Sequence, residues 1–217
     1  MVILSRVICL AIGYVFGLFQ TGYIYGKAHN IDIREHGSGN AGTTNTLRTL
    51  GWKAGAITFI GDLAKAMLAI LVSWLIFRNQ YPDTVKILEM YAGLGAVLGH
   101  NYPCYLHFKG GKGIACTSGF ILAVFIPTAP ICLVLFILAV AITRYVSLGS
   151  ILVAISFYIQ LVVYGQMGFF PVKPEYLPEV YMVGAVFSLL ALWRHRANIK
   201  RLLTGTENKF GMSKKEN

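Results

Sequence analysis

The chain has little charge: only 13% of its 217 residues are Asp, Glu, Lys or Arg, and only nine are acidic. Hydrophobic residues make up 56% of the sequence, and the mean hydropathy is +0.62. Soluble domains of this size carry about 25% charged residues. The shortage of charge therefore excludes a soluble globular fold and favours a protein embedded in a membrane.

Cysteine is scarce, and several catalytic patterns are missing. The four cysteines form no C-x-x-C pair, so we expect free thiols rather than a disulfide or zinc framework. The sequence has no G-x-S-x-G elbow, no H-x-x-x-x-D acyltransferase motif and no D-x-x-D-G…A-R pattern of alcohol phosphotransferases. No cluster of metal ligands is visible either. We therefore expect no metal and no cofactor.

Long apolar segments dominate what is present. Crossing ~30 Å of hydrocarbon takes ~20 helical residues, and five segments qualify or nearly qualify: 2–26, 54–77, 87–102, 146–165 and 176–193. A sixth apolar region, 113–143, is interrupted by Pro127 and Pro130, and proline disfavours a helix interior. We expect two short helices there, 113–126 and 130–143, which enter the membrane and return to the same face.

The predicted fold is thus an all-α polytopic membrane protein, a single domain over residues 1–217. It has about seven helices: five full crossings plus a short re-entrant pair broken at proline. This arrangement places three polar blocks, 27–53, 99–113 and 193–210, at one membrane face.

The distribution of basic residues gives the predicted orientation. Fourteen of the 19 Lys and Arg residues lie in the polar blocks, at Arg144 or in the C-terminal tail, and only Arg6, Arg78, Lys86 and Lys173 fall on the opposite face. Because basic residues collect on the cytoplasmic side, we expect the N-terminus outside and the C-terminus in the cytoplasm. The net charge of +10 then reflects topology and anionic lipid, not nucleic acid.

The first block contains the stretch EHGSGNAGTTNTLRTLG, residues 35–51. Its glycines leave backbone N–H groups accessible, and a turn that leads into a helix end forms an anion-binding nest. Ser38, Thr44 and Asn45 add hydrogen-bond donors, and Arg48 adds a planar fork suited to phosphate. The stretch predicts phosphate recognition; the alternative is a flexible solvated loop.

The second block contains FKGGKG, which places Lys109 and Lys112 among glycines directly before a helix. It is not a Walker A loop, because its first glycine is missing and Gly113 follows the lysine. A nucleotide triphosphatase is therefore disfavoured, and contact with lipid headgroups is the alternative. We interpret His100 and Asn101 as polar anchors of this loop rather than metal ligands.

In the third block, His195 and Asn198 are three residues apart and share a helix face, with Arg201 near the same stripe. We expect Glu207 to accept hydrogen bonds or to pair with a basic residue of the site. Taken alone, the block also fits a basic helix on the membrane surface. Inside the second span, Asp62 and Lys65 lie one turn apart and predict a buried ion pair, which is either structural or supports the site.

Together, GSGNAGTTNTLR, GHNYPCYLHFKGGKGIA and HRANIKRLLTGTE resemble, in order and spacing, the three motifs of the bacterial acyl-phosphate:glycerol-3-phosphate acyltransferases. GDLAKA in the second span resembles that family's G-D-x-x-K-G, with Ala66 in place of the last glycine. The resemblance covers residues 2–210. It implies transfer of a fatty acyl group from acyl phosphate to the 1-hydroxyl of glycerol 3-phosphate, giving lysophosphatidic acid and phosphate, the first step of phospholipid synthesis.

The resemblance also implies a location in the inner membrane of a bacterial cell and a partner, the soluble acyltransferase that forms acyl phosphate. The expected catalytic residues are Ser38, Arg48, Lys112, His195 and Asn198. The expected substrate- and phosphate-binding residues are Gly37, Gly39, Asn40, Thr44, Asn45, His100, Asn101, Lys109, Gly110, Gly111, Gly113, Arg201 and Glu207. A membrane transporter or channel for an organic phosphate is the alternative from another class, although no inverted repeat relates the two halves.

Overall fold

The computed structural model describes residues 2–211, which form ten α-helices and no β-strand. The helices are α1 (Val2–Gly17), α2 (Thr21–Ala28), α3 (Thr43–Leu50), α4 (Trp52–Phe77), α5 (Val85–Asn101), α6 (Ile114–Val124), α7 (Ala129–Thr143), α8 (Val146–Gln166), α9 (Leu177–Arg194) and α10 (Arg196–Leu203). Five segments are long and apolar enough to cross a membrane: Ile3–Ala28, Trp52–Phe77, Ile126–Thr143, Val146–Gln166 and Pro174–Arg194. The predicted all-α polytopic membrane fold is confirmed.

Residues 2–211 form ten α-helices rather than the expected seven, because one apolar segment is divided in two and two polar blocks form short helices of their own. The first apolar segment is broken between α1 and α2, where the side-chain amide of Gln20 donates to the carbonyl oxygens of Gly17 (3.0 Å) and Gly99 (3.3 Å). α3 and α10 are polar helices of eight residues each, formed by the first and third blocks. α5, expected to be a full crossing, has 17 residues and is shorter than the five long segments.

α1 and α5 run parallel with their backbones in contact, because glycines face each other. A Cβ on Gly13 would lie 1.9 Å from the carbonyl oxygen of Ala92, and a Cβ on Gly99 would lie 2.2 Å from that of Tyr14. Small residues spaced by four let helices approach this closely. The glycine pairs 13/17 and 95/99 therefore serve helix packing.

The predicted break in the sixth apolar region is present, as a 3-10 turn at Ile126–Thr128 that contains Pro127 and separates α6 from α7. α6 packs along α4 and α7 along α8. The turn reaches deeper than a short re-entrant loop, since the ring of Phe125 lies 5.6 Å from that of Tyr164, near the far end of α8. Because Ile126–Thr143 is itself long enough to span, one arm of the expected helix pair is longer than predicted.

The core extends over α1, α4, α5, α6, α8 and α9, and the part between α6, α8 and α9 is aromatic. The ring of Phe120 stacks on that of Phe187 at 4.2 Å and meets that of Phe157 edge-on at 5.6 Å. All four cysteines are free thiols, as predicted. This core holds the helix ends that carry the three polar blocks at one end of the bundle.

Candidate active site

A cleft with a volume of about 150 Å³ opens where the three polar blocks meet. Residues far apart in the chain come together there, as the predicted shared face requires. Twelve of the predicted site residues line the cleft: Ser38, Asn40, Thr44, Asn45, Arg48, His100, Lys112, Gly113, His195, Asn198, Arg201 and Glu207.

Six predicted site residues lie outside the lining: Gly37, Gly39, Asn101, Lys109, Gly110 and Gly111. Gly37 and Gly39 have φ of +60° and +70°, a backbone conformation that favours glycine. Gly111 allows a close approach, since a Cβ there would lie 1.9 Å from His100 Nε2. Lys109 is exposed and Asn101 is fully buried. The glycines therefore shape the loops around the cleft.

Asn45 is buried beneath the loop of the first block and stabilises it through hydrogen bonds to the backbone. Its Oδ1 accepts a hydrogen bond from the backbone N–H of Ser38 at 2.7 Å, and its Nδ2 donates to the carbonyl oxygens of Ile33 and His36, both at 2.9 Å. Only 2% of Asn45 is exposed. Its amide thus serves the backbone, and the side chain of Ser38 is left exposed at the cleft.

The N-terminus of α3 faces the cleft, with Thr43 and Thr44 in the lining. The first N–H groups of a helix have no acceptor within the helix, and the partial positive charge at this end favours an anion. Arg48 lies one turn further along the face of Thr44. Among residues 2–211, Arg48 makes no ion pair or hydrogen bond. The first block thus presents a free guanidinium beside a helix N-terminus.

Lys112, Asn198 and Glu207 form a hydrogen-bonded chain across the cleft. Lys112 Nζ donates to Asn198 Oδ1 at 2.5 Å, and Asn198 Nδ2 donates to Glu207 Oε1 at 2.9 Å. The other oxygen of Glu207 accepts from Arg201 Nε at 2.9 Å, which is the pairing with a basic site residue that the sequence predicted. Because both ends of the Asn198 amide are engaged, its orientation is fixed.

Burial lowers the pKa of the Lys112 ammonium from 10.5 to about 8. Glu207 opposes this shift, whereas the guanidinium groups of Arg201, Arg194 and Arg48 add to it. A negatively charged ligand would favour the charged form of the lysine. Lys112 is therefore a cation whose charge is not fully compensated by the protein.

His195 lies at the junction of α9 and α10 and is 2% exposed. Its Nδ1 is 2.8 Å from the carbonyl oxygen of Ala191. A carbonyl only accepts hydrogen bonds, so Nδ1 carries the proton and Nε2 keeps its lone pair. Burial, reinforced by the charge of Lys112, lowers the pKa of His195 to about 4. The imidazole is therefore neutral at pH 7.

Arg194 ties the second block to the third. Its guanidinium donates to the carbonyl oxygens of Gly110 (3.1 Å) and Gly111 (2.6 Å) and lies over the ring of Tyr102, 5.0 Å from the centroid. Asn40 ties in the first block, since its Nδ2 donates to Gly110 at 3.4 Å. The three blocks are thus joined through the backbone of the glycine loop.

The ion pair predicted inside the second span is present and reaches the cleft. Lys65 Nζ lies 2.8 Å from Asp62 Oδ1, with both side chains no more than 4% exposed, and Asp62 lines the cleft beside His100. The pair is therefore both buried and adjacent to the site. Asp62, His100 and Cys116 bring three metal-ligand atoms within 4.8 Å of one another, but a metal ion there would face the charge of the Lys65 ammonium.

Part of the lining was not among the predicted site residues, namely Phe59, Ile114, Ala115, Phe136, Val146, Ser147, Ser150 and Asn208. Most of these are apolar or small hydroxyl residues in apolar helices, where many neighbours have the same character. Their position follows only from how α4, α6, α7 and α8 pack. They give the polar cleft an apolar wall.

Comparison with protein families matches residues 7–205 to the family described as glycerol-3-phosphate acyltransferase. The glycerol-3-phosphate acyltransferase of Clostridioides difficile (strain 630) is 42% identical over 216 residues, which cover 99% of this chain and 100% of that protein. The enzyme of the same description from Alkaliphilus metalliredigens (strain QYMF) is 43% identical over 199 residues, 91% of this chain and 92% of that protein.

Two solved structures have a similar fold. The crystal structure of PlsY, an integral membrane glycerol 3-phosphate acyltransferase, in its glycerol 3-phosphate form matches with a TM-score of 0.82 and 35% identity over 95% of this chain and 96% of that one. The lysophosphatidic acid form of PlsY matches with a TM-score of 0.80 and 34% identity over the same shares.

Proposed function

The chain belongs to the glycerol-3-phosphate acyltransferase family, and we propose that it transfers a fatty acyl group from acyl phosphate to the 1-hydroxyl of glycerol 3-phosphate. Lysophosphatidic acid and phosphate are the products. One observation carries the proposal: cations from different blocks, Arg48 and Lys112, meet in a single cleft, and neither contacts a carboxylate of residues 2–211.

Two phosphate-bearing substrates require two sets of anion-binding groups. The first block offers Ser38, Arg48 and the start of α3, and the second and third blocks offer Lys112 with Asn198. The lone pair of His195 Nε2 can instead accept a hydrogen bond from a substrate hydroxyl. Charge-assisted hydrogen bonds to phosphate are the strong ones in proteins. The cleft thus offers hydrogen-bond donors both for the phosphate of the acyl phosphate and for the phosphate of glycerol 3-phosphate.

An acyl chain also needs an apolar path to the bilayer. Phe59 and Phe136 line the cleft from α4 and α7, and Phe59 is 40% exposed. Relatives support a lipid product, because PlsY has been solved in a lysophosphatidic acid form. An acyl phosphate is already activated, so the reaction needs no nucleotide site.

We further propose that acyl transfer is direct, without an acyl-enzyme. The 1-hydroxyl oxygen bonds to the acyl carbon, the bond from that carbon to the phosphate oxygen breaks, and phosphate leaves. Within residues 2–211 no carboxylate orients His195, because its Nδ1 contacts the carbonyl of Ala191, and a pKa of about 4 makes this imidazole a weak base. Positioning of the two substrates supplies the rate, and a substrate phosphate takes the hydroxyl proton. Ser38 orients substrate through a hydrogen bond.

We also propose that the cleft faces the cytoplasm of a bacterial cell from the inner membrane. The excess of basic residues at the cleft end supports this orientation. A soluble acyltransferase that forms acyl phosphate would then have access to the same face.

Purified protein in micelles tests the reaction. With acyl phosphate and glycerol 3-phosphate we expect lysophosphatidic acid and an equal amount of phosphate, and no product with acyl-CoA or acyl carrier protein as donor. Activity with acyl-CoA alone would contradict the proposed donor. Transport of an organic phosphate into vesicles without any turnover would favour the transporter alternative instead.

Labelled acyl phosphate without acceptor tests direct transfer. We expect no label on the denatured protein. Stoichiometric label that disappears in Ser38→Ala, together with ping-pong kinetics, would show a covalent intermediate.

A further inference from the structure

Lys65 lies beneath the cleft where α4, α5 and the break between α1 and α2 meet, and its side chain is 4% exposed. Its Nζ contacts three acceptors: the carbonyl oxygen of Phe19 at 2.6 Å, Asp62 Oδ1 at 2.8 Å and His100 Nδ1 at 2.9 Å. An ammonium group has three N–H donors and no acceptor. The three contacts therefore use every hydrogen of the charged lysine.

This arrangement fixes the tautomer of His100. Because Lys65 can only donate, Nδ1 of His100 accepts, and the proton of the neutral ring lies on Nε2. A second proton on Nδ1 would point at the ammonium 2.9 Å away, so the doubly protonated ring is disfavoured. His100 is thus held as a neutral hydrogen-bond donor.

The Nε2 side of the ring packs against the glycine loop that borders the substrate cleft. His100 lines the cleft, and the bare backbone of Gly111 leaves room for Nε2, where a Cβ would lie at 1.9 Å. Among the residues that the structure describes, Nε2 has no hydrogen-bond partner. A preorganised neutral N–H at this position suits an oxygen acceptor of a substrate.

We propose that Asp62 and Lys65 are positioning residues that hold His100 as its Nε2–H tautomer, so that His100 donates a hydrogen bond to a substrate oxygen in the cleft. This inference rests on the proposed function for the identity of the substrates. The oxygen belongs to a phosphate or to the acyl carbonyl, which share the same acceptor chemistry. His195 is the opposite case, because its proton is on Nδ1 and its lone pair is on Nε2.

Nitrogen NMR of the ¹⁵N-histidine-labelled protein in nanodiscs tests the tautomer without any turnover. The chain has five histidines, and His100→Gln and His195→Gln assign the two relevant signals. We expect His100 to be protonated on Nε2 and His195 on Nδ1. Protonation of His100 on Nδ1 in the unmodified protein would overturn the proposal, whatever the variants do.

Two Lys65 variants test whether Lys65 determines the tautomer of His100. Lys65→Met removes the ammonium, and Asp62 Oδ1, 3.5 Å from His100 Nδ1, becomes the nearest charge, so we expect a proton to appear on Nδ1. Lys65→Arg keeps a donor and should keep the Nε2–H form. An unchanged tautomer in Lys65→Met would exclude the positioning role.

Ligand additions test the contact with substrate and identify its source. Glycerol 3-phosphate in one sample and a non-hydrolysable acyl phosphonate, in which CH₂ replaces the bridging oxygen of acyl phosphate and the carbonyl is kept, in another should each be tested for a shift of the His100 Nε2 signal. A shift with one ligand names the substrate that His100 contacts, and no shift with either would overturn the contact.

Kinetics complete the test. Loss of the donor should lower kcat/KM at least about 10-fold in Lys65→Met, with recovery in Lys65→Arg. Equal loss in both variants, with native tautomers in both, would mean that Lys65 acts only in folding. Because the tautomer is measured without turnover, failure of this proposal is separate from failure of the acyl-transfer reaction itself.

Discussion

The two ends of the helical bundle treat their cations differently. At the end away from the cleft, carboxylates neutralise three of the four cations: Arg6 forms two hydrogen bonds with Glu179 at 2.5 and 2.7 Å, Lys173 lies 2.6 Å from Asp83, and Lys86 lies 2.6 Å from Glu89. The first two of these pairs join helices and loops to one another. Their charge is already satisfied within the protein.

At the cleft end, the cations at the centre of the site are not paired with carboxylates but donate hydrogen bonds to neutral acceptors or have no partner among the described residues. Lys112 donates to the amide of Asn198, Arg194 donates to backbone carbonyls, and Arg48 has no partner within residues 2–211. The nearby carboxylate of Glu207 is directed to Asn198 and Arg201 instead. A cation held by neutral groups keeps its charge for a ligand, and this difference separates a binding end from a structural end.

Lys112→Met should have the largest effect, because it removes a charge that the cleft leaves for phosphate. Losing a charge-assisted hydrogen bond costs roughly 1.5–3 kcal/mol, about 10–150-fold in kcat/KM for glycerol 3-phosphate. We expect mainly a higher KM if the contact is equal in ground and transition states. Lys53→Met, which removes an exposed lysine at the same end, is the matched control and should stay within about twofold. Equal effects of the two changes would remove the distinction between cleft and surface cations.

Arg48→Lys should follow, with a loss of about 10-fold, because an ammonium cannot replace a bidentate guanidinium fork on phosphate. Steady-state kinetics with each substrate varied will show which phosphate loses affinity. Arg196→Lys, at an exposed arginine beside Trp193, serves as control. Unchanged kinetics in Arg48→Lys would place Arg48 among lipid-facing charges.

Alkaline pH should weaken the cleft in the same way. With the pKa of Lys112 lowered to about 8, the free enzyme loses this charge as the pH rises through that value. At pH 9 about one tenth of the lysine stays charged, so kcat/KM should fall about 10-fold from its plateau. Lys112→Arg should move the decline to higher pH. A decline at the same pH in that variant would assign it to another group.

Breaking an ion pair at the other end should change stability but not activity. Arg6→Met removes a partly buried pair, which should lower the free energy of unfolding by about 1 kcal/mol, between the values for exposed and buried pairs. Activity per folded molecule should remain within about twofold. Lys173→Met breaks an exposed pair, and no change in the thermal midpoint is expected. Thermal unfolding and turnover, measured on the same samples, distinguish the two effects.

Much of the fold was predictable because bilayer thickness and backbone chemistry constrain it directly. Helix lengths, the break at Pro127 and the glycine contact of α1 with α5 follow from such local rules. The break at residues 18–20 does not, because it depends on Gln20 reaching the carbonyl of Gly99 on another helix. The depth of the turn at Pro127 likewise depends on a tertiary contact, that of Phe125 with Tyr164.

Most residues of the site could be predicted from the sequence, but most of the contacts that they make could not. Asn45 and Gly111 look like ligand-binding residues in the sequence, yet one binds its own loop and the other makes room for His100. The sequence alone does not distinguish an amide or a glycine that contacts a ligand from one that contacts the protein backbone. The hydroxyls of Ser147 and Ser150 lie in an apolar helix with no pattern to mark them.

The glycine contact between α1 and α5 also bears on biogenesis. α1 leaves the ribosome before α5. The glycine face of α1 that contacts α5 stays uncovered until that helix has been synthesised, since a Cβ on Gly13 would meet Ala92 of α5. α5 has only 17 residues, so docking onto α1 helps to retain it in the bilayer. Substitutions at this contact should therefore act during membrane insertion, where quality-control proteases remove the chain before it reaches any substrate.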